Sequence, residues 1–70
     1  MNNEPNKQIR DTILNLFKLK NYNEIKSYVE NLQTTYPNSI FLLNILGVVN
    51  NSLENYEESI INFKKIIKIN

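Results

Sequence analysis

Catalysis at neutral pH commonly starts from a nucleophile with a base beside it, or from a metal held by nitrogen and sulfur ligands. This chain of 70 residues contains no His and no Cys. The usual nucleophile–base pair, the common zinc ligands and the side chain that titrates near neutrality are therefore missing. No catalytic, metal or cofactor-binding residue is assigned, and enzymatic activity is not expected. The charged side chains that remain, eight Lys and Arg against seven Asp and Glu, leave a formal charge of +1 and are spread over both halves. A phosphate backbone asks for a clustered basic face. Lys64, Lys65 and Lys68 lie close together, but beside an isoleucine stripe, unlike the basic and amide side chains that a DNA-reading helix brings to a groove. Nucleic acid is not an expected partner.

What remains for such a chain is recognition, which depends on elements that hold side chains in place. A chain of this size buries only roughly 60% of the surface it exposes when unfolded. With no Cys, packing alone must stabilise it. The polar first ten residues carry no apolar stretch and do not look like a secretory signal. The longest apolar run, residues 40–49, is interrupted by Asn44 and falls far short of the ~20 residues of a membrane-spanning helix. No membrane association is expected, and the default setting is cytoplasmic. The chain has no Ala and is rich in Asn, Ile, Lys and Tyr, a bias that carries no functional inference.

Sliding the sequence against itself reveals a repeat. The block Leu19-Lys20-Asn21-Tyr22-Asn23-Glu24 returns thirty-four residues later as Leu53-Glu54-Asn55-Tyr56-Glu57-Glu58. Asn is a favoured helix cap, and Glu three places on can reach back to the cap's N–H, so each block predicts a capping box and a helix start. Ile25, Tyr28, Val29 and Leu32 follow the first block; Ile60, Phe63, Ile66 and Ile67 follow the second, at the spacing of an amphipathic helix. Glu54, Glu57 and Glu58 near the start and Lys64, Lys65 and Lys68 near the end suit the macrodipole of the last helix. These helices are expected at about residues 22–35 and 55–69.

Each is preceded by another. Ile9, Ile13, Leu16 and Leu19 form a stripe after Pro5, a residue suited to a first helical turn. Asn38, entered through Tyr36-Pro37, is the expected cap of a helix running to about Ser52. That third helix is apolar nearly all round and should be enclosed by neighbours. A buried strand is the competing interpretation of its apolar run, but the flanking periodicity is helical and no partner strand is in sight. The expected fold is all-α: four antiparallel helices forming one domain over residues 1–70, with repeats at about 5–37 and 38–70.

This pattern resembles the tetratricopeptide repeat family, whose thirty-four-residue unit reads W-x2-L-G-x2-Y, then A-x3-F, then P. In the second repeat Leu43 stands for the aromatic, Leu46-Gly47 matches the L-G pair, Ser59 takes the small-residue place and Phe63 the aromatic. The first repeat keeps Tyr22 and the closing Pro37, while Ile9, Thr12 and Ile13 replace the large-x2-L-G signature and Ile25 and Val29 replace the small residue and the Phe. Asn50 departs from the family's Tyr. Gly47 inside a helix costs roughly 1 kcal/mol relative to Ala. It would be offset by close approach of the partner helix, which is favoured over a helix C-cap because Val48 and Val49 continue the apolar pattern. The family's closing Pro would fall immediately after Asn70, so the chain is expected to belong to a longer helical array, an α-solenoid.

The resemblance implies a non-catalytic protein-interaction module. In the family, the first helix of each unit lines a concave groove for a partner's peptide or helix. By helical spacing, that groove would present Lys7, Arg10, Leu14 and Phe17 from the first unit and Phe41, Asn44, Val48 and Asn51 from the second, an apolar surface with a basic edge. Leu14, Phe41 and Val48 have the alternative of being core, and Lys7 and Arg10 of being a solvated face. The carboxylate clamp of some family members is not expected, because Leu14 and Ile45 stand where it uses Asn. Ile60, Phe63 and Ile67, widened by Ile61, Ile66 and Ile69, would face the next unit, so self-association as a homodimer through the last helix is expected. The alternative function is a scaffolding or substrate-recognition segment of a larger enzyme such as a glycosyltransferase or sulfotransferase.

Overall fold

A helix starts where its first N–H groups find acceptors. In the computed structural model, which describes residues 4–69, α1 spans Lys7–Lys18 and is capped by Asn6, whose side chain accepts from the Ile9 N–H at 3.0 Å. Pro5 precedes that cap and is buried, so it does not open the helix as expected. The second helix, α2, spans Tyr22–Leu32 and ends before residue 35, where Thr34 Oγ1 donates to the Asn31 carbonyl at 2.8 Å within a turn. α3 spans Ile40–Ser52 and α4 spans Tyr56–Ile69. Among the described residues there is no strand, which excludes a strand for the apolar run of residues 40–49. The expected last residue of the second repeat, Asn70, lies outside the described residues.

The repeat is written into the backbone. Lys20 and Glu54, thirty-four residues apart, both adopt the left-handed conformation, with φ of 57° and 65°. The Asn21 N–H donates to the Leu16 carbonyl at 3.1 Å, and the Asn55 N–H donates to the Asn50 carbonyl at 2.7 Å. Lys20 to Phe17 (3.0 Å) and Glu54 to Asn51 (3.1 Å) form the second matched pair. These are the bonds of a Schellman-type helix end, satisfying carbonyls that the helix leaves unpaired. Each link is short enough to reverse the chain at once, so α1 with α2, and α3 with α4, form two helical hairpins.

The recurring Asn is therefore part of a turn more than a capping box. Asn21 has φ −84° and ψ 67°, outside the extended region of a typical cap, and its side chain makes no cap bond. Asn55 Nδ2 donates instead to Asn50 Oδ1 at 3.4 Å, and Glu58 pairs with Lys26 at 3.1 Å. At α3 the expected cap, Asn38, is exposed, and Ser39 caps the helix in its place. Its Oγ accepts from the Leu42 N–H at 3.0 Å and donates to Glu4 Oε1, while Glu4 Oε2 accepts from the Ile40 N–H at 2.9 Å. A residue ahead of α1 thus helps to close the start of α3.

Ile13, Ile25, Val29, Leu42, Ile45, Leu46 and Val49 form the core. Leu19, expected to end the α1 stripe, is instead the exposed C-cap. Close backbone packing links α3 with α4 most extensively, then α2 with α3, then α1 with α2. This neighbour-to-neighbour order is that of a repeat stack. α3 is the enclosed helix, as its composition predicts. A Cβ placed on Gly47 would lie 2.5 Å from Phe63 Cζ and 2.7 Å from both Cε atoms, and Ser59 Oγ donates to the Gly47 carbonyl at 2.7 Å. Since α3 continues to Ser52, Gly47 is a crossing point and not a C-cap.

Candidate interaction surfaces

An enclosed helix still shows solvent whichever side its neighbours leave open. On α3 the exposed residues are Asn44, Val48, Asn51 and Ser52, with Phe41 half-buried one turn ahead of Asn44. At 100° per residue, Phe41, Asn44, Val48 and Asn51 fall on one stripe. Val48 is 43% exposed and is not core. The stripe interleaves two apolar side chains with two amides. Each amide offers both a donor and an acceptor toward solvent.

The corresponding positions on α1 are Lys7, Arg10, Leu14 and Phe17, again thirty-four residues away. Lys7, Arg10 and Leu14 are exposed, and Leu14 is 47% exposed, so it is not core either. Lys7 Nζ lies 3.0 Å from Asp11 Oδ2, one helical turn on, in an exposed pair. Such a pair contributes little to stability, but it offsets part of the expected basic edge. Phe17 meets Tyr22 edge-on, with ring centroids 6.1 Å apart and planes at 69°. Phe17 and Phe41 are both partly buried and packed against the core. Leu14 and Val48 are thus the more open apolar side chains of this surface.

The second surface lies on α4, where only Ser59 is buried. Ser59 and Phe63 face α3 through Gly47, Asn62 Oδ1 accepts from Asn50 Nδ2 at 2.8 Å, and Ile66 is half-buried on the same side. The expected widening of one apolar face by Ile61, Ile66 and Ile69 is therefore not what the helix presents. Ile66 belongs to the α3 side. Ile61 lines a hollow of about 210 Å³ with Lys64, Lys65 and Lys68. At 100° per residue, Ile69 turns toward the flank of Glu58. Phe63, expected to serve self-association, also covers Gly47, whereas Ile60 and Ile67 stand free at 54% and 74% exposed.

Sequence reasoning passed over Asn50 as a departure from a motif. In the structure it is buried, donating to Asn62 and accepting from Asn55. An Asn inside an apolar helix was the available signal, since a buried amide requires partners. Two open hollows, of about 500 and 360 Å³, are lined by residues 54–58 and 20–24, the two repeat-equivalent turns. They follow from the shared turn geometry and bring together none of the groove residues. No helix among the described residues is long and apolar enough to cross a membrane. Comparison with models of known protein families, with curated proteins and with solved structures found no match.

Proposed function

We propose that this chain is a tetratricopeptide-like interaction module that holds a peptide or helix of a partner protein along the stripe Phe41, Asn44, Val48 and Asn51. The observation that carries this is the open stripe on α3, a helix otherwise enclosed by its neighbours. Val48 lies outside the core cluster, and Asn44 and Asn51, two turns apart, present amides suited to a peptide backbone. Leu14 and Arg10 extend the same surface onto α1. The module acts without catalysis, cofactor or metal, and its working place is the cytoplasm.

Selection of peptides from a random display library against the chain tests the proposal. Peptides so selected are expected to lose at least about tenfold in affinity on Val48→Glu, roughly 1.4 kcal/mol. Asn44→Ala and Asn51→Ala should weaken them further, with helicity unchanged. Binding that survives Val48→Glu would place the ligand elsewhere. Self-association is a second reading, favoured by the exposure of Ile60 and Ile67.

A further inference from the structure

We propose that the open flank of α4 is the seam of a two-fold dimer, in which a second copy of this chain packs its own α4 antiparallel against the first. The inference rests on the repeat reading above, in which α2 offers the row equivalent to this flank. On α2 and its C-cap the row Tyr22, Lys26, Val29 and Gln33 is buried or half-buried: Val29 is fully buried in the core with α3, and the other three are half-buried. Shifted by thirty-four residues, the same row on α4 is Tyr56, Ile60, Phe63 and Ile67, at 56%, 54%, 37% and 74% exposed. Where the covered row carries Lys26 and Gln33, the open one carries isoleucines. The more apolar row is the uncovered one. It also faces away from α2, since Glu58 on the opposite flank is the residue that pairs with Lys26.

The complement of this row could come from the front of a second copy, giving a head-to-tail stack, or from another α4. The front is closed. Leu42, Ile45, Leu46 and Val49 of α3 join α2 in the core, but their counterparts on α1 are Gln8, Asp11, Thr12 and Asn15, all exposed. Stacking α1 of one copy on α4 of another would press a carboxylate and two amides onto isoleucines, and unpaired buried polar groups are costly. α4 itself has no such obstacle. Its row is spaced four, three and four residues, the seam of a two-helix coiled coil. Charge beside the row sets the direction: Glu57 flanks it in the first turn, and Lys64 flanks it in the second half. Antiparallel pairing sets acid against base, and parallel pairing sets like against like. A two-fold seam also closes on itself, so association stops at two.

Sedimentation equilibrium of the chain and disulfide trapping together test the seam. The expected result is a dimer at tens of micromolar, weakened at least tenfold by Ile60→Glu or by Ile67→Glu with helicity retained. The chain has no Cys, so single cysteines report direction cleanly. Under mild oxidation, a mixture of Tyr56→Cys and Ile67→Cys chains should form the mixed disulfide in preference to either symmetric one. A monomer at high micromolar concentration overturns the proposal and leaves the flank to a helix from elsewhere. Symmetric Tyr56→Cys disulfides, assemblies beyond two, or indifference to Ile67→Glu overturn it as well. Should either Glu variant lose helicity, the trapping pattern decides alone. Peptide binding on the α3 stripe, measured in the Ile60→Glu variant, separates failure of the seam from failure of the groove.

Discussion

Gly47 has no side chain, and that absence lets the Phe63 ring lie across α3. A Cβ there would overlap the ring at 2.5 Å. Gly47→Leu is expected to destabilise by about 1–3 kcal/mol through overpacking, lowering the melting temperature by about 4–8 °C per kcal/mol. Ser52→Leu, on the exposed end of the same helix, should stay within about 0.5 kcal/mol. Matching melts for both variants and the parent would deny Gly47 any packing role. Asn50 is the other residue on which this packing turns. Buried between Asn62 and Asn55, it orients both amides. Asn50→Ala should lower the urea midpoint by an amount equivalent to about 1–3 kcal/mol, since partners lose a buried hydrogen-bonding group. An unchanged midpoint would mean that water satisfies those partners equally well.

At the scale of elements, the two hairpins are closed by one device used twice. Lys20 and Glu54 take up left-handed backbone, which costs a non-glycine residue roughly 1–2 kcal/mol. Glycine carries no such cost but loses more entropy on folding. Lys20→Gly and Glu54→Gly should therefore each stabilise the fold, by roughly 0.5–1 kcal/mol. A fall in melting temperature for both would show that their side chains contribute something beyond the turn. The start of α3 relies on longer reach. Ser39→Ala removes a cap worth about 1 kcal/mol, and because Glu4 accepts from both Ser39 and Ile40, the Ser39→Ala and Glu4→Ala changes should not add. A double-mutant cycle measured by thermal melts checks this; strict additivity would mean the Glu4 carboxylate acts on Ile40 alone.

For the molecule as a whole, stability and association are one equilibrium if the α4 flank is a seam. A species that binds only the folded state raises the melting temperature with concentration. Melts of the chain should therefore shift upward as concentration rises, while those of Ile60→Glu should not. A melting temperature independent of concentration in both would mean that the seam does not form in that range. The asymmetry of the stack makes this testable: its front carries Gln8, Asp11, Thr12 and Asn15, and its back carries Tyr56, Ile60 and Ile67, all exposed. If the seam forms, the charge distribution at the back would govern its direction, because Glu57 and Lys64 lie on opposite halves of one helix.

The sequence by itself determined the four helices, their order and the thirty-four-residue period, because these are local: apolar spacing, short links and one recurring block are read along the chain. It also pointed to Gly47 as a place where a partner helix approaches closely, since a lone glycine whose apolar helix runs on past it marks a close crossing; that Phe63 and Ser59 meet it there was decided by the tertiary structure. That Asn44, Val48 and Asn51 share one open face of α3 was legible as well, being a matter of helical phase. Only tertiary structure decided what depends on distant partners. Ser39, not Asn38, caps α3 because Glu4 arrives from ahead of α1 to join it. Asn21 makes no cap bond because the turn before it fixes its backbone outside the capping region. Phe17 and Phe41 are partly drawn into the core, and Ile66 is half-buried while Ile61 is exposed, because burial is set by where neighbouring helices stop. Periodicity tells which residues share a face; it does not tell which face another helix will cover.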